Sequence, residues 1–181
     1  MNKQDALKPH DLAVAFGLLL GEPDARPTYS ELGQYLALSQ STVHQSVRRL
    51  QGAGLLRPGS RTPNRIALGE FLAHGVRYAF PPTLGRQARG IPTAHSGPVL
   101  GARFDAEDAF VWPDADGDRR GTSLTPLYPG ATTLPGRAPE VYQLLTLVDA
   151  IRVGRARERG AAIAELNHRL RSVARPGQNG D

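Results

Sequence analysis

Apolar residues recur at helical spacing along the first part of the chain. The stretch from Pro9 to Leu20 predicts a helix, and its apolar stripe at i, i+3, i+4 and i+7 consists of Leu12, Ala15, Phe16 and Leu19. A second helix is predicted to begin after Thr28, because Glu31 follows three residues later and completes a capping-box pattern. The buried face of this second helix would consist of Leu32, Tyr35 and Leu36.

A third helix is predicted from Gln40 to Gln51, and it separates residue types by face. Ser39 is its expected N-cap. Its core face, at i, i+4 and i+7, consists of Val43, Val47 and Leu50. Ala37 and Leu38 leave room only for a tight turn before it, so the second and third helices are expected to cross at a steep angle.

A short hairpin is predicted after the third helix. Gly52 and Gly54 can end the helix, and Pro58-Gly59 forms a turn between the apolar segments Leu55-Leu56 and Ile66-Ala67-Leu68. The tip of this hairpin would carry Arg57, Arg61 and Arg65. A further helix is predicted from Glu70 to Tyr78.

The segment from residue 81 to 138 is rich in Pro and Gly but keeps aromatic and aliphatic residues. It therefore differs from a flexible Gly/Ser linker, and we expect an ordered coil that wraps a surface. The expected anchors are Tyr78, Phe80, Leu84, Ile91, Val99 and Leu100. A functional alternative is that Arg86 and Arg89 touch DNA, or that the segment receives a partner protein or a small effector.

The C-terminal region is predicted to form helices with an apolar seam. Residues 140–151 are apolar on most sides, and the apolar positions that follow are spaced 3, 4 and 3. We predict a two-fold dimer through Val141, Leu144, Leu145, Val148, Ile163, Leu166, Leu170 and Val173. The alternative is that both helices fold back onto their own chain.

Charge is distributed unevenly along the 181 residues, whose formal net charge is +5. Between Glu31 and Glu70 there are five arginines and no acid, whereas Asp105 to Asp118 holds six acids and no base. Local basicity of this kind suits a polyanion such as nucleic acid. A general preference for arginine is the alternative explanation, since the chain has 20 Arg and 2 Lys.

Composition excludes several classes of chemistry. The chain has no cysteine, which rules out disulfides and thiolate metal sites, and no apolar run approaches the roughly 18 residues of a membrane span. The five histidines have no metal-ligand spacing, and the acidic stretch has no complementary ligand set elsewhere, so a metal-dependent nucleic-acid enzyme is disfavoured. We expect a cytoplasmic protein without signal peptide, enzymatic activity, metal or cofactor.

The short second helix, the tight turn and the third helix together make a helix-turn-helix, in which the third helix enters the major groove of double-stranded DNA. Glutamine can pair bidentately with adenine and arginine with guanine, and each good pair contributes about 1 to 3 kcal/mol of discrimination. The expected DNA contacts are Ser39, Gln40, Ser41, Thr42, His44, Gln45, Arg48, Arg49, Arg57, Arg61 and Arg65.

The stretch TYSELGQYLALSQSTVHQSVRRLQGAGLL resembles the winged helix-turn-helix transcription regulators, particularly the MarR-like kind. The resemblance implies an α+β, mainly α protein that acts as a transcriptional repressor and reads DNA with the third helix and an Arg-rich wing. We expect a winged helix-turn-helix domain over 1–80, the wrapping segment with its acidic loop over 81–138, a helical dimerisation region over 139–175 and a disordered tail over 176–181.

A second resemblance concerns the chain as a whole. The winged helix, the strip from FPP to IPT and the tail VDAIRVGRARER are together similar to small bacterial regulators associated with defence or toxin-antitoxin operons. That resemblance implies a toxin partner encoded alongside, of the nucleotidyltransferase kind, and repression of the protein's own operon. The alternative function is therefore an antitoxin or interaction protein that binds a toxin and autoregulates its operon.

Overall fold

The computed structural model describes residues 6–21, 27–104 and 109–172, and within these ranges the chain is α+β and mainly helical. The helices are α1 (Asp11–Leu20), α2 (Tyr29–Leu36), α3 (Gln40–Gly52), α4 (Arg65–Glu70), α5 (Val76–Ala79), α6 (Leu134–Arg137), α7 (Pro139–Val153) and α8 (Ala156–Ser172). The strands are β1 (Leu84–Thr93), β2 (Phe110–Pro113) and β3 (Arg119–Leu124). None of the helices among the described residues has the length and apolar character to cross a membrane.

The first three helices form where the apolar pattern predicts them. The capping box of α2 is present: Glu31 accepts a hydrogen bond from the Thr28 backbone at 2.7 Å, and Thr28 Oγ1 accepts one from the Glu31 backbone at 3.2 Å. Ser39 caps α3 by accepting a hydrogen bond from the backbone of Thr42 at 3.1 Å. These caps confirm where the second and third helices begin.

The turn between α2 and α3 is as tight as the spacing predicts. Ala37 adopts a left-handed backbone conformation with φ of 54°, and the Leu38 N–H donates to the Gly33 carbonyl at 2.8 Å. A Cβ on Gly33 would lie 2.6 Å from the Leu38 carbonyl oxygen, so only glycine fits at this position. The turn therefore depends on a missing side chain in α2.

The hairpin after α3 is shorter than predicted. Its strands meet at one bridge, Leu56 with Pro63, and the Arg57 N–H donates to the Thr62 carbonyl at 2.8 Å. The prediction of a second strand over 66–68 is wrong, because the Asn64 side chain accepts from the Ala67 N–H at 3.3 Å and starts α4 there. A π-helical turn over Phe71–Gly75 joins α4 to α5, so residues 65–79 form one helical run.

The middle segment forms strands, so the prediction of an ordered coil is wrong. Strand β1 pairs antiparallel with β3 along its first part and with β2 along its last part, and β2 and β3 pair parallel, which closes a small barrel. Gly90 lies where β1 meets both partners, and a Cβ there would overlap the Trp112 carbonyl. Of the expected anchors, Phe80 and Leu100 are buried, whereas Tyr78 and Leu84 are exposed.

Helix α7 is the buried centre of the molecule. Its Asp149 is fully buried and accepts hydrogen bonds from Thr93 Oγ1 and Trp112 Nε1, both at 2.7 Å, and from Arg152 at 2.6 Å. Arg152 also donates to the Phe80 carbonyl at 2.7 Å. Burial raises the pKa of Asp149, and the Arg152 charge opposes that rise. This cluster joins the barrel and the end of α5 to α7.

The predicted dimer seam is buried inside a single chain. Six of its residues are at most 3% exposed, namely Val141, Leu144, Leu145, Val148, Leu166 and Leu170. They pack between α7, α8 and neighbouring helices in a core that runs continuously from α1 to α8. Ile163 is half-buried, and Val173 lies outside the described residues. For the six buried residues the prediction of a dimer interface is wrong, because the chain uses them to close its own core. For Ile163 and Val173 it stays a prediction.

Candidate nucleic-acid interface

Helix α3 presents one polar face to solvent. Thr42 is half-buried beside this face, and the exposed residues of the face and its N-cap are Ser39, Gln40, Ser41, His44, Gln45, Arg48 and Gln51. The opposite side of the helix is formed by Val43, Ser46, Val47 and Leu50, which are all buried. The exposed face therefore offers hydrogen-bond donors and acceptors together with one exposed guanidinium, and α3 contains no acid.

Arg49 belongs to the buried side of α3, so the prediction that it contacts DNA is wrong. Its side chain is 5% exposed and makes a two-point ion pair with Asp11 of α1, with Nε–Oδ2 at 2.8 Å and Nη2–Oδ1 at 2.6 Å. The same guanidinium donates to Ser46 at 3.1 Å. The sequence did contain a signal for this pair, which the prediction overlooked. Asp11 stands at the start of an apolar helix, and a buried carboxylate requires a cationic partner.

His10 extends this pair toward the surface. Its Nε2 lies 3.1 Å from Arg49 Nη2, and burial lowers the pKa of its imidazole, with the Asp11 charge opposing that effect. A neutral His10 with an unprotonated Nε2 accepts the Arg49 hydrogen bond in this geometry. The ion pair and His10 together hold the buried side of α3 against α1.

An aromatic contact holds α3, α2 and the hairpin together. The Tyr29 and His44 rings form a T-shaped contact with their centroids 5.4 Å apart, and the Arg61 guanidinium lies 5.2 Å from the centre of the Tyr29 ring. Arg61 also donates to the Pro27 carbonyl at 2.8 Å. Tyr29 was not among the predicted site residues. Its position directly after the capping Thr28 was the only signal available in the sequence.

The hairpin is fixed beside the end of α3. Gln51 Nε2 donates to the Ser60 carbonyl at 3.1 Å, which connects the last turn of α3 to the hairpin tip. Arg57 is exposed on the hairpin, and Arg61 is half-buried by its contact with Tyr29. Arg65 does not lie on the tip: it begins α4 and donates to the Leu170 carbonyl of α8 at 3.3 Å. The hairpin therefore brings two of its three predicted arginines to this surface.

The nearest acid on α2 is already engaged. Glu31 accepts hydrogen bonds from the backbone and hydroxyl of Thr28 at 2.7 and 2.8 Å, and the backbone hydrogen bond lowers the pKa of its carboxyl. Its charge is thus held at the N-terminus of α2, where the helix dipole favours an anion. The face formed by α3 and the hairpin keeps its cationic character.

The arginines of the barrel lie beside acids, unlike the exposed arginine of α3 and those of the hairpin. Arg86 and Arg89 are exposed on β1, but the Arg89 guanidinium donates to the Gly117 carbonyl within the turn that carries Asp114, Asp116 and Asp118. The remaining acids of the predicted acidic stretch, over 105–108, lie outside the described residues. Among the described residues, no group of three or more His, Asp or Glu side chains is placed to hold a metal ion.

Comparisons with family models, curated proteins and solved structures found no match to this chain. The candidate interface thus consists of a capped helix with an exposed polar face. A buried ion pair fixes the opposite side of this helix, and a basic hairpin flanks it.

Proposed function

We propose that the protein is a sequence-specific regulator of transcription that binds double-stranded DNA through a winged helix-turn-helix. In this proposal α3 lies in the major groove, and the hairpin carrying Arg57 and Arg61 contacts the phosphate backbone or the minor groove. Occupation of an operator by this module would repress the adjacent gene. The protein performs no catalysis in this role.

The observation that carries the proposal is the separation of the two faces of α3. Its apolar residues and Arg49 are all turned inward, so the exposed face takes no part in the core, and it bears six polar or basic side chains and no acid. A helix that served only as a solvated surface would not require a glycine turn, two side-chain caps and an aromatic contact to fix its orientation. Those features favour a helix that is preorganised for binding a partner.

The experiment begins by selecting duplexes from a random pool with the full-length protein. Affinity for the selected duplex and for a scrambled duplex is then measured by fluorescence anisotropy at several salt concentrations. The variants are Gln45→Ala and Arg48→Ala on α3, and Arg57→Ala on the hairpin. The matched control is Arg120→Ala, which removes an exposed arginine from the barrel strand β3.

Arg48→Ala is expected to weaken binding to the selected duplex by about 1 to 3 kcal/mol while changing affinity for the scrambled duplex little, because a base contact carries sequence preference. Arg57→Ala should weaken both duplexes by a similar factor and reduce the salt slope by about 0.9, as expected for the loss of one phosphate contact. Arg120→Ala should leave both affinities unchanged. Equal losses from Arg48→Ala and Arg120→Ala on both duplexes would contradict a recognition role for α3.

The antitoxin function remains a prediction from the second resemblance. Its surface would be the exposed side of the barrel, where Leu84 is 52% exposed and unlike the other strand residues in being a large apolar side chain open to solvent. Binding of a toxin there and binding of DNA by α3 use different residues, so Leu84→Ser on the barrel and Arg48→Ala on α3 would separate the two functions.

A further inference from the structure

The helical run from Arg65 to Ala79 carries an exposed stripe at intervals of four residues. The stripe consists of Ile66, Glu70, His74 and Tyr78. Ile66 is 78% exposed and Tyr78 is 74% exposed, which makes them the two most exposed large hydrophobic residues in the described part of the chain. Single exposed apolar residues are ordinary, but two of them at the ends of one line of side chains form a surface.

The π-helical turn over Phe71–Gly75 keeps these four side chains in line. Along a regular α-helix, positions four apart drift by about 40° per step, which would carry Tyr78 about 120° away from Ile66. A π turn takes one more residue than an α turn and so returns about 100° of that rotation. The exposure of all four residues agrees with this correction. The irregularity therefore has a structural consequence: it makes the stripe straight.

The order of residues along the stripe is complementary to itself when read backwards. In an antiparallel pair of such helices centred near Leu72, Ile66 of one copy would lie opposite Tyr78 of the other. Glu70 would lie opposite His74 in the same register, and an imidazole N–H donates to a carboxylate whether or not the ring is charged. Two-fold symmetry would repeat both contacts, which gives two apolar contacts and two polar contacts.

We propose that this stripe is the contact surface for a second copy of the chain, in an antiparallel helix pair about a two-fold axis. The partner that fits this pattern is a second copy of the chain. In a two-fold interface the same surface contacts itself in the opposite orientation, and this stripe is complementary to itself in that orientation. Two-fold pairing also replaces the seam of α7 and α8, which the chain has already buried within itself.

The surroundings of the stripe leave space for a partner helix. The Arg77 guanidinium lies 5.2 Å from the centre of the Tyr78 ring, which holds that ring in a defined position. Beside Ile66, a cavity of about 460 Å³ opens between this run and α8, with Gly69 and Ala73 on the near wall. Exposed Arg171 lies on the α8 wall of this cavity.

The proposed dimer is weak and dissociates on dilution. One helical stripe covers much less than the roughly 800 Å² per partner of a standard stable interface. The proposal does not depend on DNA binding, so it is tested without DNA. A failure of the dimer test would leave the proposed regulator intact, and a failure of the DNA test would leave the dimer intact.

The test uses sedimentation velocity on the full-length protein over a range of concentrations, with Glu70→Lys and His74→Glu as separate variants. Each variant alone loses both polar contacts in a homodimer: Glu70→Lys places a cation opposite His74, and His74→Glu places a carboxylate opposite Glu70. In an equimolar mixture, the lysine introduced at position 70 faces the glutamate introduced at position 74. The unchanged Glu70 of the second variant then faces the unchanged His74 of the first.

Wild type is expected to approach twice 19.5 kDa as its concentration rises, whereas each variant should associate at least ten-fold more weakly. The mixture should recover the dimer, and contacts within one helix cannot produce that recovery because the two changes lie on different chains. Ile66→Ser should weaken association, while Leu84→Ser, which changes an exposed leucine of β1, should not. Circular dichroism checks that all variants keep the wild-type fold.

Three results would overturn the proposal. The first is a wild type that stays at 19.5 kDa at every concentration. The second is a mixture of Glu70→Lys and His74→Glu that associates no better than either variant alone. The third is equal weakening by Ile66→Ser and Leu84→Ser, which would assign self-association to nonspecific apolar contact.

Discussion

Two buried aspartate–arginine pairs have the same shortest N–O distance but different surroundings. Asp11 and Arg49 approach to 2.6 Å and connect α1 with α3, whereas Asp149 and Arg152 approach to 2.6 Å within α7. In both pairs the side chains are at most 5% exposed. Since removal of both charges from water costs several kcal/mol, each pair needs a structural reason beyond its own attraction.

The reasons differ because of the other hydrogen bonds at each site. Asp149 and Arg152 bind Thr93, Trp112 and the carbonyls of residues 80 and 81, so the pair connects α7 to three other segments of the chain. Arg49 binds Ser46 on its own helix and half-buried His10 near the surface. The first pair is therefore a hub of the fold, whereas the second is a clamp that sets the position of α3.

The largest effect is expected from Asp149→Ala. The change leaves the Arg152 charge, the Thr93 hydroxyl and the Trp112 N–H without their buried acceptor, so the loss should exceed the roughly 3–5 kcal/mol of a broken buried pair. Against a typical total stability of about 5–15 kcal/mol, this loss is a large fraction of the free energy of unfolding. Thermal unfolding followed by circular dichroism measures this, and a transition within a few degrees of wild type would contradict the hub.

Paired apolar replacements sharpen the comparison. Asp11→Leu with Arg49→Met removes both charges of the clamp together, and replacement of a buried pair in this way is often close to neutral in stability. Asp149→Leu with Arg152→Met should instead cost several kcal/mol, since partners from three segments keep unsatisfied polar groups. Urea unfolding of both double variants tests the difference. Equal losses would mean that the two pairs play the same role.

The clamp variant also tests the buried assignment of Arg49. Asp11→Leu with Arg49→Met should keep affinity for the selected duplex within a few-fold of wild type, because Arg49 faces α1 and not the exposed side of α3. The matched comparison is Arg48→Ala, which removes the neighbouring exposed guanidinium. A folded clamp variant that lost as much affinity as Arg48→Ala would show that this pair is needed for binding, through contact with DNA or through the position of α3.

The smallest expected effect is a pH dependence at the clamp. The pKa of His10 is lowered from 6.5, chiefly by burial, while the positive charges of Arg49 and Lys8 act in the same direction and Asp11 acts against them. The unfolded chain therefore binds a proton more readily than the folded chain. The contribution of His10 to stability is complete above pH 6.5 and is lost as the pH falls through its lower folded pKa.

This pH effect is isolated by comparison with His10→Gln. Urea unfolding of wild type and the variant between neutral pH and about pH 5 should show wild type losing more stability than the variant as the pH falls. The two proteins differ only at residue 10, so the contributions of all other residues cancel in the difference. Parallel pH profiles would mean that protonation of His10 does not strain the clamp.

The features of the candidate interface that could be predicted are those set by residues close together in the sequence. Helices α1 to α3, both caps, the tight turn and the inward position of Val47 follow from spacing within about ten residues, and all of them agree with the structure. The position of Arg49 could not be predicted in this way, because its partner Asp11 precedes it by 38 residues. Helical spacing places Arg49 near the edge of the polar face, and only the position of α1 decides on which side it lies.

At the hairpin and at the C-terminal seam, the local sequence is compatible with two structures. Ile66 favours a strand, whereas Asn64 favours the start of a helix as its N-cap, and the structure has the helix. The apolar spacing of α7 and α8 is equally suited to a partner chain and to the chain's own core, because burial depends on apolar area and not on the chain that supplies it. Their contacts with each other and with α1 decided between the two.

By itself, the sequence determined the helical faces, the caps, the acid-free basic surface of α3 and the mainly helical fold class, because these depend on neighbours along the chain. Only the tertiary structure decided that β1, β2 and β3 close a barrel, that Asp149 collects hydrogen bonds from distant segments, and that the stripe from Ile66 to Tyr78 remains outside the core. Each of these depends on which surfaces meet across long separations, and the hydrophobic effect that drives such meetings has no direction of its own.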